Sequence, residues 1–450
     1  MAFEDALAAW LVRQRWFAGK GRGLHDLAIV ADTQLMDGDP ELRHLVVTVS
    51  HGTTADYYQV LAGLRRRLPA RLRHARIGPA GDGRQAYDAL HDADLTKPLL
   101  AGIAAERSAG SVHMRRLPGA SFGTGLDSLV LGSEQSNTSL VYGDESILKV
   151  FRRIAPGPNP DLEVTTALAR LGSPHVAEPL GWIETRLDGA ATSLAILSRY
   201  LRLASDGWSL AATSVRDLYA IEGSAADRTC AADAGGDFAG EARRLGMATA
   251  QVHADLAAAF GADELGPDAA GELTERMFRN LDLARAAVPE LGRHAEMIGE
   301  AYSRLAKLKG PFPVQRVHGD YHLGQVLRTE TGWVLLDFEG EPATPLAQRR
   351  GRSSPLRDVA GMLRSFDYAA RHQLIGNPDQ AALSAVARDW VRRNGGAFCA
   401  GYAAAGGLDP AANQVLLRAL QLDKAVYEVL YEARHRPSWL SIPLESLAEL

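Results

Sequence analysis

Cysteine is scarce in this sequence, with only Cys230 and Cys399 among 450 residues. Two thiols cannot form a disulfide framework or a four-cysteine metal site, so neither class of protein is expected. No hydrophobic run approaches the length of a membrane span, and the opening Met1-Ala-Phe-Glu-Asp5 lacks the basic residues of a signal peptide. We therefore expect a cytoplasmic protein with no membrane partner.

A strong charge of either sign is also missing, because the formal net charge is −5 at pH 7. That value gives no reason to expect nucleic acid as a partner. What the chain does have is an ordinary globular composition, with 46% hydrophobic and 23% charged residues. At 450 residues it is long enough for two or three domains, each with its own core.

The stretch 316–342 contains a predicted β-hairpin with acidic residues at its edges. Two short apolar runs, Gln325–Arg328 and Trp333–Leu336, are joined by a Thr-Glu-Thr-Gly turn. Asp320 precedes the first run and Asp337 follows the second. Because carboxylates held close together repel each other, this pattern predicts a bound cation at the mouth of the hairpin.

The order of polar residues in this stretch is typical of protein-kinase-like phosphotransferases. His318-Gly-Asp320 is followed by Gln325, five residues after the aspartate, and by Asp337, 17 residues after it. In such enzymes one aspartate orients or deprotonates the attacking hydroxyl, while an amide and a second aspartate hold magnesium at the ATP phosphates. Those roles would fall to Asp320, Gln325 and Asp337. Turn aspartates in an ordinary hairpin are the alternative, but the two motifs in this order favour a kinase site.

A lysine in an otherwise apolar strand is a second candidate. Lys149 lies in the run Ser146–Phe151, and removing an ammonium from water is unfavourable unless a partner is nearby. Glu163, in the helical stretch Asp161–Leu171, can supply that partner. A strand lysine paired with a helix glutamate holds the α- and β-phosphates in kinases. The alternative is an edge-strand lysine that reaches solvent.

Two further segments are candidates for contacts with the nucleotide. The polar loop 133–139 lies between two predicted strands, as a phosphate-binding loop would, with Ser133 and Ser136 facing the phosphates. It has neither a Walker motif nor the glycine pattern of protein kinases, so an ordinary turn is the alternative. The apolar strand Leu194–Leu201 is expected to cross between lobes. The residues whose backbone would meet adenine are Ser198, Tyr200 and Leu201.

The rest of the chain is predicted to be mainly helical, with helices at 240–260, 275–308, 359–370 and 411–435. His253 is expected to be structural, and Asp358 could cap a helix or support the catalytic loop. The last helix carries polar and aromatic groups over successive turns, which favours either a solvated face or a sugar-binding wall. These residues are Gln421, Asp423, Lys424, Tyr427, Glu428, Tyr431 and Glu432.

Taken together, these motifs resemble the maltokinase group of the aminoglycoside-phosphotransferase-like superfamily, from end to end of the chain. The matching motifs are Arg15-Trp-Phe17, Glu134-Gln-Ser-Asn-Thr-Ser139, Leu148-Lys149, Asp206-Gly-Trp208, His318-Gly-Asp-Tyr-His-Leu-Gly-Gln325, Asp337-Phe-Glu-Gly-Glu-Pro342, Arg357-Asp-Val-Ala-Gly-Met-Leu-Arg-Ser365 and Asp423-Lys-Ala-Val-Tyr-Glu428. The resemblance implies an α+β, bilobal protein-kinase-like (aminoglycoside phosphotransferase-like) fold with an N-terminal cap subdomain. It also implies ATP and magnesium (Mg2+) as cofactors, bound between the lobes.

The expected domains are an N-terminal cap subdomain at 1–100, an N-lobe with an intermediate subdomain at 101–200, and a mainly helical C-lobe at 201–450. The cap carries no catalytic motif, so binding of a protein partner is one role it could have. An aminoglycoside- or choline-type kinase would share the catalytic residues. A non-catalytic binding module is disfavoured because Lys149, Asp320 and Asp337 are all present.

The resemblance implies a sugar as acceptor. Maltokinases make maltose 1-phosphate for glycogen-type glucan synthesis, and actinobacterial relatives phosphorylate glucosamine at the 6-hydroxyl. Where the maltokinase pattern is Arg-Ala-Tyr-Glu-Leu, this chain has Arg418-Ala-Leu-Gln-Leu422, and the loss of an aromatic and an acid favours the smaller glucosamine over maltose. Alternatively, Leu420 and Gln421 face the core and carry no information about the acceptor. The residues expected to bind the acceptor are Asp320, His322, Glu339, Glu341, Asp423, Lys424, Tyr427 and Glu428.

Overall fold

The computed structural model describes residues 3–19, 26–51, 54–132, 136–222, 237–266, 268–341 and 344–449. The chain divides into two compact units. The N-terminal unit comprises Met1–Thr166 and Ala177–Arg202, and the C-terminal unit comprises Ala167–Val176 and Leu203–Leu450. The expected division into cap, N-lobe and C-lobe stays a prediction.

The N-terminal unit is built mainly of antiparallel strands. Its elements are α1 (Phe3–Leu11), β1 (Asp26–Met36), β2 (Glu41–His51), β3 (Thr54–Arg65), β4 (Arg76–Pro79), β5 (Gln85–Asp88), α2 (Ala93–Ala104), β6 (Ser108–Ala109), β7 (Val112–Arg116), β8 (Ser128–Val130), β9 (Asn137–Tyr142), β10 (Ser146–Phe151), β11 (Arg153–Ile154), α3 (Pro160–Arg170), β12 (Pro179–Leu187) and β13 (Ala190–Arg199). Short 3-10 turns lie at Ala70–Ala75 and Ala89–His91.

The first sheet of this unit has the strand order β1-β2-β3-β5-β4, with β11 paired to β3. Alternation along β3 places Tyr58, Val60 and Ala62 on one buried face. Leu7 and Trp10 of α1 are three residues apart on one helix face and belong to the same apolar cluster. This packing gives the first sheet its own core.

The second sheet has the order β6-β7-β12-β13-β10-β9-β8, and all its pairs are antiparallel. In it, Lys149 of β10 lies opposite Ser139 of β9 and Ile196 of β13. The predicted strand at 146–151 is therefore confirmed. Because β9 and β13 flank β10, Lys149 belongs to an interior strand and not to an edge.

The C-terminal unit is mainly helical and contains two small sheets. Its elements are β14 (Ser205–Asp206), α4 (Gly207–Glu222), α5 (Ala239–Phe260), β15 (Ala262–Leu265), α6 (Ala269–Ala287), α7 (Ala295–Ala306), β16 (Phe312–Gln315), β17 (Val326–Arg328), β18 (Trp333–Leu335), α8 (Leu346–Arg349), α9 (Leu356–Arg371), α10 (Gln380–Ala404), α11 (Gln414–His435) and α12 (Ser441–Leu447). The 3-10 turns are Pro289–His294, Leu323–Gln325, His372–Leu374 and Pro437–Trp439.

The predicted hairpin is confirmed as β17 and β18, which pair antiparallel and are joined by β14 in a three-stranded sheet. Helix α9 is the centre of the helical part, since α4, α10, α11 and α12 all pack against it. Its apolar residues Leu356, Val359, Met362 and Phe366 are fully buried. The hairpin and α9 together carry the residues of the site described below.

The single helix predicted over 275–308 is wrong, because the structure has two helices, α6 and α7, separated by a 3-10 turn that begins at Pro289. Proline has no backbone N–H and its ring clashes with the preceding turn, so α6 ends before it. Within the described part of the chain, no helix combines the length and apolarity needed to cross a membrane.

Candidate active site

The loop that carries Asp320 is held by one buried carboxylate. The backbone N–H groups of His318 and Gly319 donate to Asp358 Oδ2 and Oδ1, at 2.7 and 2.9 Å. Gly319 has φ +86°, a left-handed conformation that glycine adopts without strain. Asp320 follows directly, so the position of its backbone is set by the two residues bonded to Asp358.

Asp358 is itself fixed by a buried hydrogen-bond chain. His253 Nε2 lies 3.0 Å from Asp358 Oδ2, and His253 Nδ1 lies 2.8 Å from the Tyr402 hydroxyl. Burial alone would raise the pKa of Asp358, but the hydrogen bond from His253 and the donors of the loop lower it. The N-cap of α9 is Pro355, so Asp358 supports the loop that carries Asp320 and does not cap the helix. The structural role expected for His253 is confirmed.

The two residues predicted to hold a metal are brought together by the hairpin. Gln325 Nε2 donates to Asp337 Oδ2 at 3.0 Å, and Leu336 N donates to Gln325 O at 2.9 Å. Asp337 has φ +64°, a left-handed conformation that is uncommon for a residue with a side chain. His318 Nε2 lies 2.8 Å from Leu336 O, which ties the catalytic loop to the end of β18.

Lys424 of α11 contacts Asp320, the residue predicted to be catalytic. Its Nζ lies 3.4 Å from Asp320 Oδ1 and 2.7 Å from Glu341 Oε1. Glu341 also accepts from Arg357 at 3.2 Å. Burial works to lower the pKa of the Lys424 ammonium, but the carboxylates of Glu341 and Asp320 outweigh it and raise the pKa. The predicted acceptor residues Asp320, Glu341 and Lys424 therefore form one charged cluster.

Three other residues predicted on α11 lie around this cluster. Tyr427 is a cation–π partner of Lys424, with Nζ 4.8 Å from the ring centroid. Asp423 accepts from Asn280 at 3.3 Å, and burial raises the pKa of its carboxyl group. Glu428 is buried and accepts from Arg364 at 2.7 Å. A substrate role for each of them stays a prediction.

The position of Leu420 bears on the interpretation of the acceptor wall. Leu420 is buried, as the core-facing alternative expected, whereas Gln421 is half-buried. The departure from the maltokinase pattern therefore involves one core position and one position that lines a cleft to which neither Asp320 nor Lys424 contributes.

His322 and Glu339 were also predicted to bind the acceptor. His322 Nδ1 accepts from Gly324 N at 3.0 Å and so caps the 3-10 turn that begins at Leu323. Burial lowers the pKa of its imidazole. Glu339 is half-buried, two residues after Asp337. Acceptor contacts of both residues stay predictions.

In the N-terminal unit, Lys149 has an acidic partner on α3. Its Nζ lies 3.0 Å from Asp161 Oδ2, and the two side chains are only 15% and 7% exposed. The sequence predicted Glu163, which lies in the same first turn of α3. Asp161 was missed because both acids occupy that turn and the sequence alone does not fix how the helix is rotated about its axis.

The remaining nucleotide candidates are placed as follows. Ser133 lies outside the described residues, and Ser136 is exposed just before β9. Ser198 lies in β13, where it pairs with Ile147, and Tyr200 N donates to Glu145 O at 2.9 Å. Leu201 is half-buried. Contacts of these residues with ATP stay predictions.

Comparison with known proteins decides the family. Residues 128–395 match the phosphotransferase enzyme family, more than half of the chain. The chain belongs to that family. Residues 10–92 match the maltokinase N-terminal cap domain. The predicted kinase-like fold with an N-terminal cap is thereby confirmed, and the protein is an ATP-dependent phosphotransferase.

This phosphotransferase is similar to two curated glucosamine kinases. That of Streptacidiphilus jiangxiensis is 32% identical over 334 residues, covering 70% of this chain and 72% of the relative. That of Mycolicibacterium smegmatis (strain ATCC 700084 / mc(2)155) is 30% identical over 333 residues, covering 70% and 78%. A solved glucosamine kinase in complex with glucosamine, ADP and inorganic phosphate has 27% identity and a TM-score of 0.66, covering 100% of this chain and 99% of its own.

Sequence reasoning missed two arginines of the phosphotransferase site, Arg357 and Arg364. Both lie on α9, and both bind acids that the sequence singled out: Arg357 binds Glu341, and Arg364 binds Glu428. The motif Arg357–Ser365 was recognised as part of the resemblance, but α9 lies far along the chain from α11. A pair 64 residues apart, such as Arg364 and Glu428, gives no local signal.

Proposed function

We propose that this phosphotransferase transfers the γ-phosphate of ATP to glucosamine, giving glucosamine 6-phosphate, with magnesium as cofactor. The observation that carries the proposal is the similarity over the whole chain to a kinase solved with glucosamine and ADP. The two curated relatives, both glucosamine kinases, support the same acceptor. The preference for glucosamine over maltose that the sequence indicated agrees with these relatives.

The carboxylates of Asp423 and Glu341 also favour a cationic acceptor. Asp423 is half-buried and its pKa is raised by burial, so an ammonium beside it would offset the cost of the carboxylate's charge. Glu341 already binds two cations, Lys424 and Arg357. Carboxylates of this kind would discriminate between an amine and a hydroxyl at the same carbon of the sugar.

Asp320 is the proposed catalytic residue. Its carboxylate would accept the proton of the attacking hydroxyl or orient that hydroxyl for in-line attack on the γ-phosphorus. The hydrogen bonds from His318 and Gly319 to Asp358 hold the loop that presents it. Phosphoryl transfer depends on positioning and charge neutralisation, so no covalent enzyme intermediate is expected.

Gln325 and Asp337 fit magnesium by the chemistry of their donor atoms, because magnesium prefers carboxylate and carbonyl oxygens. The hydrogen bond from Gln325 Nε2 to Asp337 Oδ2 uses the amide nitrogen and leaves the amide oxygen for a metal. When bound, magnesium neutralises charge on the ATP phosphates. Lys149, oriented by Asp161, is proposed to bind the phosphates, and Ser198, Tyr200 and Leu201 the adenine.

Maltose is the second candidate acceptor, and one observation favours it. Residues 10–92 match the N-terminal cap domain of maltokinases. The sequence contains no catalytic motif in the cap. The match therefore supports membership of the family and does not identify the acceptor. A protein partner for the cap stays a prediction.

The proposal is tested by an acceptor panel. Purified protein with ATP and magnesium is offered glucosamine, maltose, glucose, N-acetylglucosamine and an aminoglycoside, and ADP release is followed. We expect turnover with glucosamine that exceeds that with the other acceptors. Turnover that is fastest with maltose would replace the proposed acceptor, and turnover with none of them would contradict both candidates.

A further inference from the structure

A large cleft lies in the C-terminal unit, away from the residues assigned to catalysis. Its volume is about 790 Å³, and residues of α9, α10, α11 and α12 line it. That volume is in the range of small-molecule binding sites. Among the described residues, neither Asp320 nor Lys424 lines it. The polar side chains that matter for its chemistry are Arg388, Asp389, Arg392, Gln414, Gln421 and Glu449.

Helix α10 shapes the floor of this cleft. Arg388 and Arg392 are four residues apart and so point from the same face, and Gly396 occupies the next position of that row. A Cβ at Gly396 would meet no atom within 4 Å, so the space beside it is open. Gly395 also lines the cleft. The side chains of Arg388 and Arg392 thus lie beside a part of α10 that a ligand can approach closely.

Among the described residues, each of the two arginines has one surface ion pair. Arg388 is 51% exposed and lies 3.2 Å from Glu449, and Arg392 is 83% exposed and lies 2.5 Å from Asp389. Exposed ion pairs of this kind contribute little to stability, so a ligand can replace them at low cost. Glu449 also binds Arg371 and would stay neutralised if Arg388 turned to a ligand.

The charges of the cleft complement a phosphorylated amino sugar. A phosphoryl group carries about −1.5 to −2 charges and accepts bidentate hydrogen bonds from arginine, so it suits Arg388 and Arg392. Asp389, released from Arg392, would then pair with an ammonium. The side-chain amides of Gln414 and Gln421 line the cleft, and they suit the hydroxyl groups of a sugar.

We propose that this cleft is a second ligand site that binds a phosphorylated amino sugar, the class of product of this phosphotransferase. Identifying the ligand as the product rests on the proposed function, whereas the presence of a phosphate-binding cleft does not. Bound there, the product would act as a feedback inhibitor without occupying the acceptor site.

A chain of contacts connects the cleft to the charged cluster of Asp320, Glu341 and Lys424. Arg364 lines the cleft, is 2% exposed, and donates to Glu428 of α11 at 2.7 and 2.9 Å. Nη1 of Arg364 donates to Asp367 at 3.0 Å and to Ser446 of α12 at 2.6 Å. Glu428 lies one helical turn from Lys424, which contacts Asp320. A ligand that shifts Arg364 would therefore act on the helix that carries Lys424.

The test is calorimetric titration of the full-length protein with glucosamine 6-phosphate in the absence of ATP. We expect two binding events in the natural protein. The Arg388→Ala/Arg392→Ala double variant should lose one event or weaken it by about tenfold or more, as expected when charged hydrogen bonds are removed. Arg216→Ala removes an exposed arginine on α4 that pairs with Asp217, and it should keep both events.

A single event that is unchanged in the double variant would overturn the proposal. Thermal unfolding of each variant checks that the fold is intact. In steady-state assays with varied acceptor, added glucosamine 6-phosphate should inhibit the natural protein with a competitive and a non-competitive component. The double variant should lose the non-competitive component. Purely competitive inhibition in both proteins would also overturn the proposal.

Two further titrants separate this proposal from the proposed function. Glucose 6-phosphate and inorganic phosphate are titrated in the same way. Weaker binding of both at the arginine-dependent site supports an amino sugar as ligand, whereas equal binding of all three overturns the assignment to that class. Failure of the enzyme to phosphorylate glucosamine would contradict the proposed function without removing an arginine-dependent binding event.

Discussion

The Lys424 ammonium lies 3.4 Å from Asp320 Oδ1, so a cation on α11 contacts the residue proposed to handle the acceptor hydroxyl. The same Nζ lies 2.7 Å from Glu341. Lys424 therefore joins the loop that carries Asp320, the segment after β18 and the last long helix. Its contact with Asp320 supports the proposal that it positions that carboxylate.

Lys424→Met should lower kcat/KM for glucosamine by about 10- to 100-fold, the effect expected for loss of a hydrogen bond to a charged group. The side chain stays similar in length but the carboxylates of Asp320 and Glu341 lose their shared cation. Steady-state kinetics with ATP saturating gives this value. Lys97→Met, which removes an exposed lysine paired with Asp127, is the control and should leave kcat/KM close to that of the natural protein.

The stability contributed by Lys424 should depend on pH in a defined direction. The pKa of Lys424 is raised in the folded protein, so its contribution is complete below the pKa of the unfolded chain, about 10.4, and is lost as pH rises toward the folded value. The difference in unfolding free energy between the natural protein and Lys424→Met should stay constant from about pH 6 to 9 and shrink above about pH 10. Urea unfolding at several pH values measures it, and a difference that already shrinks near neutral pH would contradict the raised pKa.

Asp320→Asn should reduce turnover by about 10²- to 10⁴-fold, the usual contribution of a general base. The amide keeps the shape of the carboxylate, so binding of ATP should change little. Single-turnover kinetics and calorimetric titration with ATP measure the two effects separately. Turnover near the natural value would remove Asp320 from its proposed role.

Asp358→Asn should destabilise the fold by about 3–5 kcal/mol, the cost of breaking a buried charged network. An asparagine presents only one acceptor oxygen, whereas Asp358 receives hydrogen bonds from His318, Gly319 and His253. Its pKa is lowered in the folded state, so its contribution is present above the unfolded pKa, about 3.9, and is lost only as pH falls below that value. Urea unfolding at pH 7 measures the loss, and Asp217→Asn on α4 is the exposed control.

Lys149→Met should raise the KM for ATP by about tenfold or more, because a charged hydrogen bond to a phosphate would be lost. Asp161→Asn should weaken ATP binding less, since Lys149 remains and loses only its ion pair with the Asp161 carboxylate. Calorimetric titration with ATP ranks the two variants. If Asp161→Asn had the larger effect, the lysine would not be the group that binds the phosphates.

Local patterns were sufficient to predict much of this structure. The hairpin at β17 and β18, the lysine in β10 and the helix at α5 follow from alternation and helical periodicity, and the structure confirms them. The order of His318, Gly319 and Asp320 before Gln325 and Asp337 also predicted a kinase, because kinase chemistry places these groups on one continuous stretch of chain. The family match confirms that class of protein, and the roles of these residues stay predictions.

Contacts between distant segments were not predictable in the same way. Asp161 and Glu163 occupy one helix turn, so the contact between Asp161 and Lys149 depends on the packed position of α3, which the sequence alone does not give. A solvated face was one interpretation of Lys424 and Glu428. In the structure each binds a residue from a distant part of the chain, Asp320 and Arg364, because both face packed elements and not solvent. The break at Pro289 was missed although proline is a local signal, since the apolar pattern continues on both sides.

The most direct test of an amino sugar as acceptor is the ratio of kcat/KM for glucosamine to that for glucose. The two sugars differ only at carbon 2, where one carries an amine and the other a hydroxyl. We expect a ratio of about 10² or more, because glucose has no ammonium to pair with the carboxylates of Asp423 and Glu341. A ratio near one would show that the amine is not recognised and would contradict glucosamine as the preferred acceptor.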